Sequence, residues 1–312
     1  MTIYIRGLLV LLALVAGSSL ASSRTIDPIV STGWLSENIN VPDVIVLDVR
    51  SADRYLAGHI PGALNEPFVV PFSAWITMNE GLLLELPEVE GLFETLGHLG
   101  IAQSSKVVIV SDPSPGEPPH YGLAAATRVA DTLIYLGVNN VAILDGGYTK
   151  WSSEERGARV EVVESVGTVY DGDPINDMFV SLDYVLTQVW RVNIIDARDA
   201  DVYFGVTIEP FAAKPGHIFT AKSLPAPWAY DLSEDNVYTF KDREILDDMV
   251  AGVLRLRASK QSEIVVYCGV GGYTSIWWYL LTQVLGYENV KFYDGSAQEW
   301  AKSFDLVPYR WR

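Results

Sequence analysis

Six short apolar runs rich in valine and isoleucine punctuate the chain: VIVLDV (44–49), KVVIVS (106–111) and NVAILD (140–145), then VNIIDA (192–197), EIVVYC (263–268) and NVKFYD (289–294). None alternates strictly, as a strand with one wet face would, so each predicts a strand buried on both faces of a parallel sheet. Between them lie helical stretches such as GLAAATRVADTLIYLG (122–137) and TSIWWYLLTQVLG (274–286), each closed by a glycine suited to a helix C-terminus. Strand alternating with helix predicts an α/β fold with crossover connections, each half a mainly parallel sheet flanked by helices. Ligands of such sheets gather beyond the carboxyl ends of the strands. EIVVYC places Cys268 at such an end.

The pattern is written twice. VIVLDVRSADRY (44–55) returns as VNIIDARDADVY (192–203), GHIPGALNEPF (58–68) as GHIFTAKSLPAPW (216–228), and LDGGYTKW (144–151) as YDGSAQEW (293–300). Asp48 and Asp196 lie 148 residues apart, while Asp145 and Asp294, like Trp151 and Trp300, lie 149 apart. So long a period means two copies of one domain rather than a solenoid. The copies are expected at 25–160 and 177–312, joined by a solvated acidic linker at 161–176 whose DGDP segment has turn chemistry.

Composition then narrows the function. With 312 residues, 49% of them hydrophobic and 20% charged, the chain is globular and long enough for two domains. Its 39 acidic residues outnumber 22 basic ones for a net charge of −17, which repels phosphate backbones and argues against a nucleic-acid partner. An anionic substrate would need a locally favourable pocket. Residues 1–21 carry Arg6, an apolar run from Leu8 to Val15 and small residues at Ser19 and Ala21, the pattern of a cleavable secretory signal. The run falls short of the about 20 apolar residues of a membrane span, so a secreted or periplasmic protein without stable membrane insertion is expected. In an oxidising compartment the single cysteine, Cys268, has no internal disulfide partner; it is either core or reagent.

Its neighbours favour the reagent. After the strand comes GVGGY, then a helix beginning near Thr274. Gly269, Gly271 and Gly272 lack a Cβ, so the backbone can curl and aim successive N–H groups inward, and the helix adds the positive end of its dipole. A sulfur anion there would be stabilised without a basic side chain, and the thiolate is the nucleophilic form. A dinucleotide fingerprint is broken by the cysteine. A cysteine phosphatase would need an arginine where Thr274 stands.

On these residues the chain resembles the tandem-domain rhodanese-like sulfurtransferases, the family of thiosulfate and 3-mercaptopyruvate sulfurtransferases. The strand ends DVR (48–50) and DAR (196–198), the GHI segments, the cysteine loop, the endings DGGYTKW and DGSAQEW, and Thr239-Phe240-Lys241 carry the resemblance, in order and mostly twice. It implies two rhodanese-like domains, the first a copy without a nucleophile. In the second, Cys268 takes the outer sulfur of a small donor, holds it as Cys–S–SH, and yields it to a thiol or cyanide acceptor in a ping-pong cycle. Gly269, Val270, Gly271, Gly272, Tyr273 and Thr274 would hold the persulfide, with Arg198 a candidate donor contact; no metal or organic cofactor is implied. The competing function is a non-enzymatic sulfur carrier or protein-binding module.

Departures bear on the donor. Relatives of the pattern C-G-x-G-x-R have an arginine at Tyr273, and mercaptopyruvate-type relatives have one at Val202. Arg198 has a counterpart, Arg50, in the copy without a nucleophile, so an ion pair explains it as readily as substrate does. Aligning VVIVSD with IVVYC sets Asp112 or Ser111 opposite Cys268, followed by SPGEPPH, too long and proline-rich for the same cradle. His59 and His217 recur in both copies and read as structural hydrogen-bonders; His120 lies in the replacement loop near the cleft and His98 on a helix surface. Four scattered histidines make no zinc site. Trp277 and Trp278 read as core, and Asp145, Asp294, Trp151 and Trp300 as scaffold.

Overall fold

A computed structural model describes residues 24–234, 237–254 and 258–309; the secretory leader expected at 1–21 lies outside the described residues. The first sheet holds β1 (Ile29–Val30), β2 (Val44–Asp48), β3 (Leu64–Asn65), β4 (Lys106–Val110) and β5 (Asn140–Leu144) in the order β1-β5-β4-β2-β3, all parallel. The second holds β6 (Phe179–Val180), β7 (Asn193–Asp196), β8 (Lys222–Ser223), β9 (Ile264–Tyr267) and β10 (Val290–Tyr293) in the equivalent order β6-β10-β9-β7-β8. Every residue of β5, β9 and β10 is buried, as unalternating apolar runs require.

Register settles which residue stands opposite the cysteine. Asp48 pairs with Val110 and its repeat Asp196 with Tyr267, so the next residues, Ser111 and Cys268, are equivalent. The amide of Tyr148 donates to the Ser111 carbonyl at 3.4 Å as that of Ala297 donates to the Cys268 carbonyl at 2.9 Å. Of the two alternatives the sequence left open, Ser111 is therefore the counterpart and Asp112 lies one residue beyond it.

The two domains are locked by exchanged contacts. The helices Pro119–Tyr135 and Gly272–Tyr279, each following the central strand of its sheet, pack together, with Thr127 Oγ1 and Ser275 Oγ 2.7 Å apart and Leu123, Ile276 and Trp277 in one shared core. Each domain also sends a hairpin to its neighbour's strand-end aspartate. Beyond the hairpin Thr77–Asn79/Leu82–Glu85, the Leu86 amide donates to Asp294 Oδ2 at 2.9 Å. From the hairpin Tyr230–Leu232/Tyr238–Phe240, the Phe240 amide donates to Asp145 Oδ1 at 3.0 Å. The recurring aspartates are thus interdomain latches. Arg128, 1% exposed, adds a bidentate grip on Asp294 at 2.6 and 2.9 Å. Between the domains, the Tyr170 hydroxyl donates to the Leu136 carbonyl at 2.7 Å and the Ile175 amide to that of Tyr135 at 2.8 Å. The linker is tied to the first domain at these two points, while its acidic residues Asp171 and Asp173 stay exposed as expected.

Among the described residues no helix is long and apolar enough to cross a membrane.

Arg128→Ala would leave Asp294 desolvated without its cation, so we expect a loss of about 3–5 kcal/mol in denaturant unfolding. A loss under about 1 kcal/mol would show that the pair does not hold the domains together.

Candidate active site

Cys268 is the first residue past β9, and three contacts with the start of helix Ser296–Ser303 hold it there. Its amide donates to Ser296 Oγ at 3.2 Å, and its carbonyl and that of Gly269 accept from Ala297 and Gln298 at 2.9 and 3.0 Å. The chain then reverses into the next helix through Gly271, whose φ of +89° lies in the left-handed region that favours glycine. In that conformation the Gly271 amide donates to Cys268 Sγ at 3.1 Å. A Cβ at Gly271 would stand 2.8 Å from Asp294 Oδ1 and 3.3 Å from Arg128 Nη1. The cradle and the interdomain ion pair are therefore in contact, and both require this glycine.

The thiol is 2% exposed, and that burial pushes its pKa up. The Thr274 hydroxyl and amide and the Val270 amide pull the other way, while Glu209 adds repulsion. Thr274 Oγ1 is itself buried and acts on the thiol. This corrects one expectation. The amides do turn toward the sulfur, but desolvation outweighs them for the free thiol. The outer sulfur of a persulfide would stand a further S–S bond out, about 2.05 Å.

Around the loop stand residues from both domains. Tyr273 is half-buried, its ring 5.1 Å from that of His120 and 6.1 Å from that of Tyr121. His120 Nδ1 lies 3.2 Å from the Tyr230 hydroxyl, so the replacement loop of the first domain does face the site. Burial pushes the Tyr273 phenol up, with Tyr121, Asp199 and Cys268 adding to it. A Cβ on Gly269 would meet Glu209 Oε2 at 2.7 Å. The Glu209 carboxyl is pushed up to about 7, mainly by burial, against the pull of Arg198.

Arg198 is fully buried and donates to both oxygens of Asp196, to the Gly216 carbonyl at 2.7 Å, and to Glu209 Oε2 at 3.5 Å. Arg50 repeats the Asp and Gly contacts through Asp48 and Gly58. The geometry is that of an anchor, and it replaces the donor contact expected of Arg198. His59 and His217 stack on Tyr55 and Tyr203 with centroids 3.7 and 3.9 Å apart and bond their carbonyls through Nδ1, as structural residues do. Trp277 and Trp278 are core, and His98 is exposed at a helix end. Among the described residues no group of three or more His, Cys, Asp or Glu could hold a metal ion.

Glu209, Tyr121 and Tyr230 escaped the sequence reading. A signal existed for Glu209. Asp48 and Asp196 are 148 residues apart but His59 and His217 are 158 apart, so the second copy carries ten extra residues between them, and Glu209 lies on that insertion. Tyr121 reaches the site only through domain pairing, and Tyr230 lies on the second domain's own hairpin, far from Cys268 in sequence.

The rhodanese-like domain model matches residues 31–154 and 181–303. The chain is 28% identical over 283 residues to a "Putative thiosulfate sulfurtransferase" of Mycolicibacterium smegmatis, covering 88% of this chain and 94% of that one. It is 31% identical over 286 residues to the sulfur carrier protein TtuD of Thermus thermophilus, covering 87% and 93%. The 3-mercaptopyruvate sulfotransferase SseA of Escherichia coli superposes with a TM-score of 0.70 at 26% identity, covering 87% and 99%. The anaerobic ergothioneine biosynthesis enzyme of Chlorobium limicola, at 22% identity and a TM-score of 0.72 over 90% of this chain and 71% of that one, shares the fold.

Because burial raises the Cys268 pKa above its ordinary 9.0, alkylation by iodoacetamide should climb about tenfold per pH unit through pH 9, following the thiolate fraction. Thr274→Val should move the midpoint higher still. A plateau below pH 9 would show that the amides outweigh desolvation.

Proposed function

The chain belongs to the rhodanese-like family and is a sulfurtransferase, and from that premise we propose that it relays a sulfane sulfur through a persulfide on Cys268. The observation that carries this reading is the Gly271 amide aimed at the sulfur of the only cysteine, 3.1 Å away, beyond the carboxyl end of β9. The Cys268 thiolate attacks the outer sulfur of a small donor such as thiosulfate or 3-mercaptopyruvate, and the desulfurated product leaves with the electron pair of the broken bond. An acceptor thiol or cyanide then attacks the outer sulfur and regenerates the thiolate. The amides of the loop from Gly269 to Thr274 hold the charge of the persulfide, fixed in place before it arrives. The leader at 1–21 supports export to an oxidising compartment.

A second reading, a sulfur carrier with little turnover, is favoured by one observation. Val202 is buried where the first copy has Arg54, and Tyr273 supplies a hydroxyl rather than a cation, so neither position offers a fixed positive charge to an anionic donor. One relative is itself named a sulfur carrier.

Intact-mass analysis after incubation with thiosulfate or 3-mercaptopyruvate should show one added sulfur, absent from Cys268→Ser; no addition with any donor would contradict the persulfide. Steady-state turnover with cyanide or a dithiol then separates enzyme from carrier. Gly271→Pro removes the amide facing the sulfur and forces φ near −65°, so sulfur loading should fall about 100-fold while the far-UV circular dichroism keeps its α/β signature. Loading at the wild-type rate would contradict the backbone cradle.

A further inference from the structure

Anionic charge gathers at the mouth of this site, and the basic side chain that touches it among the described residues is already paired. Glu209 lies against Gly269 and, ionised above about pH 7, adds repulsion at the thiol, and Asp199 acts on both the Tyr273 and Tyr230 phenols. Arg198, the cation that touches this group, is held by Asp196 and by Glu209 itself. The equivalent of Arg54 is the buried Val202. A persulfide adds one more negative charge to this set. Beside it are the rings of Tyr121, Tyr230, Tyr273 and His120, and an aromatic face, unlike an edge, attracts an organic cation and not an anion. His120 supplies no compensating charge, since burial pushes its pKa down. The buried Thr274 hydroxyl, which acts on the thiol, is a neutral donor and brings no positive charge either.

Resting on the persulfide reading above, we propose that the sulfur on Cys268 is handed to a small thiol that carries a positive charge, and that Glu209 and Asp199 select for that charge. The acceptor thiolate forms the new S–S bond to the outer sulfur. The bond between that sulfur and Cys268 Sγ breaks, and its electron pair stays on Cys268 as thiolate. No oxidant or reductant is consumed. An ammonium group on the acceptor offsets the carboxylates as the thiolate approaches, whereas a carboxylate on the acceptor adds a third like charge. Selection at this step leaves the donor step open to slower anionic donors, which meet the same repulsion.

The test uses the full mature chain, loaded with sulfur and freed of donor. It is mixed with cysteamine, 2-mercaptoethanol or 3-mercaptopropionate, and loss of the added sulfur is followed by intact mass, with rates divided by each thiol's thiolate fraction. We expect cysteamine to discharge the persulfide about tenfold faster than 2-mercaptoethanol, and 3-mercaptopropionate about tenfold slower. The spread should shrink as salt rises past 0.1 M, where the Debye length falls below about 10 Å. Glu209→Gln and Asp199→Asn, both close in shape to the native residue, should each compress the ranking, and Tyr273→Arg should invert it and favour thiosulfate as donor. Equal rates for the three thiols, or a ranking untouched by both carboxylate variants, would overturn the charge selection while leaving the persulfide intact. A wild-type chain that accepts sulfur from no donor would instead remove the persulfide reading and this inference with it.

Discussion

Burying a solitary sulfur at the end of a parallel strand sets desolvation against hydrogen bonding at one atom, and the surrounding structure decides the balance. For the free thiol, desolvation wins. Water is excluded at 2% exposure, and the donors that face the sulfur are backbone amides and one hydroxyl rather than a full charge. Such donors cost little to hold in place, because the turn at Gly271 and the start of helix Ser296–Ser303 fix them before any substrate arrives. On the persulfide reading proposed above, the same dipoles would serve a second sulfur one bond removed better than they serve the free thiol.

The second domain does not achieve this alone. Asp294, whose carboxylate lies where a Gly271 side chain would have to go, is held by Arg128 and the Leu86 amide of the first domain. The helix behind the cradle leans on its counterpart through Thr127 and Ser275. The first copy has given up its nucleophile: Ser111 occupies the place of Cys268, and its hydroxyl pairs with Tyr238 of the partner domain at 2.9 Å. What it retains is the wall of the cleft, with His120 and Tyr121 against Tyr273. Of two equivalent strand ends, the one without a cysteine thus supports the other.

Most of the fold was legible in the sequence because buried parallel strands and their repeat are written in local patterns. The strand-end position of Cys268, the glycines after it and the structural histidines could all be read from neighbours in the chain. Three things could not. The choice between Ser111 and Asp112 depended on strand register, which a one-residue ambiguity in an apolar run does not encode. The Arg198 role depended on whether its donors were already taken, by Asp196 and the Gly216 carbonyl. Glu209 comes from an insertion, and His120 and Tyr121 come from the opposite domain, so their proximity to the sulfur is a product of tertiary packing. The net rise of the thiol pKa belongs to the same class, since amide direction can be read from glycines but the depth of burial cannot.

The most direct test is a crystal structure of the protein treated with thiosulfate or 3-mercaptopyruvate. The account predicts electron density for one extra sulfur bonded to Cys268 Sγ and lying within hydrogen-bonding reach of the amides between Val270 and Thr274. An unmodified cysteine, or an outer sulfur turned away from those amides, would contradict it.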